Sequence, residues 1–285
     1  MILETRKKIL TAKINKRLFQ VFLLVCFTVL FILPGCRMQE EKLFREAYNY
    51  WQTKDYETAI ITYLKLIENY PGSKHAPYAQ FQIGNIYNYN LNRYQDAVIA
   101  YQKTVSIYPD SEYSFKAQFE IAEIYNKRFD EKQLSIIEYK RLFNYKQNKT
   151  EFPKIHLEIA DNYIYLKQFD KALFELEELK KETPNYPNLD YILFKEAMIL
   201  YQKGDFTSAK DEFENFMVKY PESDYFLKAQ FWYAQTLEEL KNYSEALELY
   251  QTLKENEYKT DIIDLKIERL NKLIKEEKEK KKNQR

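Results

Sequence analysis

The chain has 285 residues, 45% of them hydrophobic and 31% charged, with a formal net charge of +1; this composition excludes a largely disordered chain. Only 4 residues are glycine, against a usual ~7%. No G-x-G-x-x-G or G-x-x-x-x-G-K-[ST] phosphate loop is therefore present, and a turn-rich all-β sandwich or barrel, whose hairpins draw on glycine at φ > 0, is disfavoured. Tyr (26) and Phe (19) are abundant, which suits a long helical array closed by short polar turns.

The N-terminal segment reads as an address. Arg6, Lys7, Lys8, Lys13, Lys16 and Arg17 stand against one acid, Glu4, and an apolar run follows from Leu18 to Leu33, broken by Gln20 and Thr28. Leu33-Pro34-Gly35-Cys36 closes it and the chain then turns polar at Arg37. A basic region, a short apolar region and a small residue make a secretory signal, and Leu33, Gly35 and Cys36 resemble the lipobox of bacterial lipoproteins. That resemblance implies cleavage before Cys36, acylation of its sulfur and amino group, and an outer-membrane destination, because Arg37 is not the Asp of an inner-membrane retention signal. Pro34 departs from the usual small residue. An uncleaved anchor is the other reading, although the run falls just short of the ~17–25 residues that span a bilayer. Without residues 1–35 the net charge becomes −4, a poor basis for binding nucleic acid. Cys26 lies in the signal and Cys36 under lipid, so no disulfide is expected.

The rest of the chain is one unit read six times. Small residues recur at Ala59, Ala97, Ser135, Ala172, Ala209 and Ala246, at spacings of 37 or 38. A second series, Ala47, Gly84, Ala122, Ala160, Ala197 and Ala234, precedes each by 12 or 13. Pro71, Pro109, Pro184 and Pro221 lie twelve residues beyond members of the first series. Aromatics keep register: Tyr50, Tyr87, Tyr125 and Tyr163 lie three after the second series, and Tyr63, Tyr101, Tyr139, Phe213 and Tyr250 four after the first. Spacings of 3 and 4 share one helix face. Two helices cross closely only where a small side chain lies at the contact, so each unit is a helical hairpin. Proline ends the second helix, and the serine of Tyr-Pro-x-Ser (Ser73, Ser111, Ser223) can cap the next. Glycine serves a crossing at Gly84 and turns at Gly72 and Gly204, the remaining turns using Pro, Asn, Asp and Ser.

This pattern resembles the tetratricopeptide repeat (TPR), whose usual period is 34, over about residues 40–258. The resemblance implies an all-α fold, a right-handed superhelix of about six hairpins, with weak copies at repeat three (Gln147 replaces the proline) and repeat six (Tyr258). Ile263, Ile267, Leu270 and Ile274 share one face of a capping helix, and the Lys/Glu-rich end frays into solvent. The organisation expected is a signal over 1–35, an anchor linker over 36–42, a solenoid over 43–258, and a cap with charged tail over 259–285.

Catalysis has no visible basis. His75 and His156 fall in different repeats, no Cys, His or carboxylate cluster has metal-ligand spacing, and the chain reads as a non-enzyme with no cofactor, no metal and no small-molecule substrate. His156 is read as structural, paired with a carboxylate. In TPR arrays the first helices line a concave face, which makes Phe44, Phe81, Phe119 and Phe194 (with Leu157 and Phe231) either a ladder for a peptide or inter-repeat core. A more variable line runs beside them: Tyr48, Trp51, Asn85, Asn88, Glu123, Asn126, Asp161, Met198, Tyr201, Gln235 and Glu238. Tyr48 and Trp51 are the foremost anchors in it, since aromatic residues are enriched at hot spots.

The blocks Tyr70-Pro71-Gly72-Ser73, Ala79–Tyr87, Tyr108–Tyr113 and Asn188–Leu193 are similar to those of outer-membrane assembly lipoproteins of the BamD type. That resemblance implies a lipid-anchored scaffold facing the periplasm, with a β-barrel insertase or other envelope proteins and peptide segments as partners. The chain departs from that family in having six repeats rather than five and no recognisable C-terminal segment. The Tol–Pal partner of the CpoB type is a second resemblance, implying a cell-wall coordination adaptor. A holdase for unfolded periplasmic chains is a third reading.

Overall fold

A computed structural model describes residues 38–258 and 260–283. The expected signal, Pro34 and Cys36 lie outside the described residues. Thirteen α-helices follow one another, and no strand occurs among the described residues. They are α1 (38–52), α2 (Tyr56–Asn69), α3 (Ala76–Asn85), α4 (Tyr94–Ile107), α5 (Glu112–Lys127), α6 (Lys132–Arg141), α7 (Phe152–Tyr165), α8 (Phe169–Glu182), α9 (Leu189–Lys203), α10 (Phe206–Lys219), α11 (Phe226–Glu239), α12 (Tyr243–Glu255) and α13 (Thr260–Asn283). The all-α fold class expected from the repeat is the one observed. Helix α1 already includes residues 38–42, a stretch expected to be linker. Contacts divide the chain after Ile124 into two compact units.

In the first unit Ala47, Ala59, Tyr63, Leu66, Ala79 and Ile83 form the core; in the second Ala197, Ala209, Phe213, Phe216, Ala234 and Tyr250 do the same. Every small residue of the two series is buried, eleven of them with no exposed surface and Gly84 as the twelfth. The reason is clearest at Gly84, where a Cβ would lie 2.5 Å from the ring of Tyr101, itself fully buried. Bulk is moved to the second helix and removed from the first.

The hairpin turns share one geometry. The residue after the first helix takes a left-handed φ: Lys54 (65°), Asn92 (54°), Asp130 (57°), Lys167 (55°), Gly204 (85°) and Lys241 (62°). The next N–H then reaches back to a carbonyl, Asp55 to Tyr50, Arg93 to Tyr87, Glu131 to Tyr125, Gln168 to Tyr163, Asp205 to Leu200 and Asn242 to Leu237, at 2.8–3.0 Å. This is a Schellman closure. It spans six residues rather than five in repeats two and three, where the period is 38. In repeat two the extra residue becomes a π turn over Ile86–Asn90.

Two expectations about turns are corrected. Gly72 has ordinary backbone and open space around it, so neither φ nor crowding requires glycine there. Lysine, and not only Asn, Asp or Ser, fills three of the six left-handed positions. Its long stem leaves the charge in water while the backbone accepts a conformation that costs a β-carbon roughly 1–2 kcal/mol.

The expectation that each serine caps the next helix is corrected in part: Ser111 stands directly before α5, whereas His75 and Tyr225 are the N-cap residues of α3 and α11, and Ser73 and Ser223 close the turn before them. Ser73, Ser111 and Ser223 accept the N–H two residues on, from His75, Tyr113 and Tyr225, at 2.9, 3.2 and 3.1 Å. Ser73 and Ser223 also donate back to Glu40 (2.5 Å) and Asp190 (2.6 Å) on the previous first helix. Repeat three, lacking its proline, ends raggedly in two short 3-10 stretches, Leu142–Asn144 and Lys146–Glu151.

Helix α13 buries Ile263 and Leu270 completely, with Ile267 and Ile274 half-buried on the same face. At the register of Ala234 it carries Asn271, which is exposed. A polar residue where every hairpin buries a small one gives the array a wettable end. The tail does not fray as expected: it stays helical to Asn283, with residues 275–280 exposed.

Two outcomes follow for stability. Gly84→Ala should lower stability by about 1–3 kcal/mol through overpacking against Tyr101, and denaturant titration measures it. Lys167→Gly and Lys241→Gly should each raise stability by roughly 0.5 kcal/mol, the relieved left-handed strain outweighing added chain entropy, whereas Gly204→Ala should reduce it; thermal melts distinguish the three.

Candidate binding face

The phenylalanine series sits in the seam between hairpins. Phe44 stacks on His75 (4.2 Å, 18°), meets Tyr78 edge-on at 5.5 Å and lies tilted to Tyr63 at 6.5 Å. Phe81 contacts Tyr101 and Tyr113, each at 5.6 Å. Phe194 contacts Phe213, Phe216 and Tyr225. Each ring thus touches its own second helix and the start of the next hairpin. Phe44, Phe81, Phe119, Leu157 and Phe194 are half-buried and Phe231 is buried. That placement is packing.

The variable line behaves differently from residue to residue. Asn88 and Asn126 are buried at 3% and 8% exposure and bridge to the next first helix, Asn88 donating to Glu120 (3.2 Å) and Asn126 to Glu158 (3.4 Å). Asn126 is further held by Lys132, which donates to its side-chain and main-chain oxygens. Asp161 pairs with Lys195 at 2.5 Å. Tyr201 meets Trp232 edge-on at 5.1 Å. Glu238 is clasped by Lys266 (2.8 Å) and Arg269 (2.6 Å) of α13 and accepts from Tyr250 at 2.6 Å, and Gln235 accepts from Lys266. One step in register recurs at Asn88, Asn126, Tyr201 and Glu238: the residue four after the small position on one first helix engages the residue two before that register on the next. Asp161, one residue after Ala160, reaches the same place on the next helix, Lys195. Sequence reasoning missed this ladder because its partners change type in each repeat.

Three positions remain more open. Asn85 accepts from Tyr101 (2.8 Å) and donates to Gln82, and both Asn85 and Glu123 are half-buried. Met198 is half-buried against the second unit's core. In the first hairpin Tyr48 and Trp51 pack at 5.5 Å and 48°, and the Trp51 indole donates to Asn90 of the π turn (3.3 Å). Tyr48, Trp51, Gln52, Lys54, Tyr56 and Asn90 line an open cleft of about 550 Å³. The π turn is what brings Asn90 over Trp51, and it also leaves the Oδ1 of Asn88 buried without a hydrogen bond.

The histidines are tied to carboxylates. His75 lies 3.0 Å from Glu41 and His156, 5% exposed, lies 3.0 Å from Glu175. Glu175 also receives Lys140 at 2.8 Å. Burial alone raises a carboxyl, but the bonds from His156 and Lys140 outweigh it and hold Glu175 below its ordinary range. At Glu196 burial wins over Lys180 and the pKa rises. Burial and the Glu238 carboxylate push the Tyr250 phenol far up. Among the described residues no group of His, Cys, Asp and Glu is arranged to hold a metal, and no helix is long and apolar enough to cross a membrane.

Comparison with known proteins agrees with the helix pairs. Tetratricopeptide-repeat family patterns match residues 43–73, 78–111 and 194–257. The outer membrane protein assembly factor BamD of Buchnera aphidicola subsp. Acyrthosiphon pisum is 28% identical over 95 residues, covering 27% of this chain and 39% of that protein. The chain thus matches well under half the length of that relative. Among solved structures, the C-terminal part of a TPR repeat-containing protein from Cytophaga hutchinsonii superposes with a TM-score of 0.52 at 16% identity, covering 74% of this chain and 78% of that one. A TPR protein from Parabacteroides merdae gives 0.49 at 12% identity, covering 81% and 98%. Over residues 43–73, 78–111 and 194–257 the chain is therefore similar to tetratricopeptide repeats.

Because a depressed carboxyl contributes stability above its unfolded pKa and loses it as pH falls through the folded value, Glu175→Gln should destabilise by about 2 kcal/mol at pH 7. Its melting difference from wild type should close between about pH 5 and 3.

Proposed function

We propose that the protein is a lipid-anchored periplasmic scaffold in outer-membrane protein assembly, similar in role to BamD. The observation that carries this reading is the 28% identity over 95 residues to a BamD protein, joined to the basic–apolar–Leu33-Pro34-Gly35-Cys36 order at the N-terminus. In this reading Cys36 bears the lipid, the repeats face the periplasm, and the partners are a β-barrel insertase and the peptide segments it handles. The chain's part is to hold proteins together, not to catalyse.

The cleft beside Trp51 supports a contact site in the first hairpin. It combines a half-buried indole, two tyrosines and the Lys54 ammonium on an open rim, the mixture that anchors protein interfaces. The buried rungs at Asn88, Asn126 and Glu238, with the ring contact of Tyr201 to Trp232, hold the array together, which leaves Tyr48, Trp51, Asn85, Glu123 and Met198 as the positions open to a partner.

Two measurements check the reading. Cys36→Ala should abolish fatty-acid labelling and release the chain from the membrane fraction; surviving label would refute the lipoprotein assignment. Affinity isolation of the tagged chain from mild detergent should recover the barrel-insertion machinery, with recovery reduced roughly tenfold by Trp51→Ala. Tol–Pal or cell-wall synthesis proteins in its place would support the adaptor reading instead.

A further inference from the structure

The second helices carry a feature that core packing does not explain. Two residues after each first-series small position stand Ile61, Ile99, Ile137 and Phe174. They are 51%, 53%, 43% and 57% exposed. In a helix of 100° per residue, two steps from a buried position points outward, so about half of each of these apolar side chains is left in water. The same register holds Asp211 and Glu248 in the last two repeats, both exposed.

One turn further on, where i and i+4 share a face, Ile61 is followed by Lys65 and Ile99 by Lys103. Both lysines are exposed, and neither ammonium has an ion-pair partner among the described residues. In the second unit the pairing weakens. Arg141, four after Ile137, is tied to Glu138 at 2.8 Å, and Phe174 is followed by Glu178. Asn215 and Thr252 follow the two acids. Aliphatic-plus-cation therefore belongs to the helices next to the N-terminal segment, and the register turns acidic away from it.

The occupant follows from what precedes α1. An apolar run from Leu18 to Leu33 and then Cys36 stand in sequence just before Met38, which is already within α1. Whether the anchor is a lipid on Cys36 or the uncleaved run, one to four residues lie between it and Met38 of α1, at most roughly 7–18 Å of chain. A surface held that close is at high effective concentration, so contacts too weak to act alone become populated. Aliphatic side chains that dip into the headgroup layer beside lysines that meet phosphate are the elements of interfacial binding.

We propose that the outer face of α2 and α4, through Ile61, Ile99, Lys65 and Lys103, lies against an anionic lipid surface. This rests on the membrane-anchor reading above and goes beyond it, because an anchor alone fixes one point and leaves every face of the hairpins free. A protein partner on the same stripe is the competing occupant.

The test uses the full chain as it is matured, reconstituted on vesicles of phosphatidylethanolamine and phosphatidylglycerol with brominated acyl chains. Bimane is attached at Ile61→Cys or Ile99→Cys, and for comparison at Gln52→Cys on α1 or Glu248→Cys on α12. Flotation is measured first. The expected result is a floating protein whose label is quenched at least threefold more at 61 and 99 than at 52 and 248. Lys65→Glu with Lys103→Glu should then return quenching to the comparison level while flotation persists. Equal quenching at all four positions in a floating protein overturns the proposal and leaves the stripe to a protein partner. A chain that fails to float overturns the anchor reading, and this proposal with it. All four label positions are exposed, so unchanged melting curves confirm that the variants are folded.

Discussion

Everything in this chain depends on a helix crossing so close that one side has room only for a hydrogen or a methyl group. Gly84 against Tyr101 shows the limit, since a single added carbon would meet the ring at 2.5 Å. The other hairpins place alanine, or Ser135, at the same points with no exposed surface. Close crossing lets a large ring four residues along the second helix reach the core, and Tyr63, Tyr101, Tyr139, Phe213 and Tyr250 are all fully buried there. The contact is strong because dispersion and burial act together over the ring. The period of the sequence is the period of this contact.

Glycine scarcity acquires a sharper meaning from the turns. Every hairpin demands one left-handed residue, yet glycine supplies it once, at Gly204. The other positions hold Lys, Asn or Asp, accepting local strain that the Schellman hydrogen bond and the paired helices over-determine. A glycine count therefore says little about how many left-handed turns a repeat protein contains. It says how much strain the array tolerates, and an array with a buried crossing in every hairpin tolerates a good deal.

The repeat, the hairpins, the small-residue contacts, the serine turns and the capping face were legible in the sequence because one residue type recurs at each position. The inter-repeat ladder was not. Asn88 with Glu120, Asp161 with Lys195, Tyr201 with Trp232 and Glu238 with Arg269 occupy related steps using different chemistry. Variation at a position reads as freedom from packing, and here it reflects pairs that change together. The π turn was legible only as an extra residue, since nothing in the letters says whether an insertion lengthens a loop or widens a helix. Ile61 and Ile99 were legible in principle: their angle from Ala59 and Ala97 places them outside. A search for shared core positions passes over them because it asks what the repeats bury.

Those two outcomes divide the molecule's surfaces. Along the first helices, polar side chains are spent on joining one repeat to the next, which stiffens the array and removes Asn88, Asn126 and Glu238 from any partner's reach. One opening lies beside Trp51, where the indole donates to Asn90 of the π turn. Along the second helices a link such as Lys140 of α6 to Glu175 of α8 also occurs, but the outward-facing Ile61 and Ile99 take no part in it. An exposed isoleucine repeated at one register, with a lysine one turn on, is then a feature the fold neither needs nor forbids. The proposed lipid surface would supply a cause for its presence on α2 and α4 and for its replacement by Asp211 and Glu248 on α10 and α12.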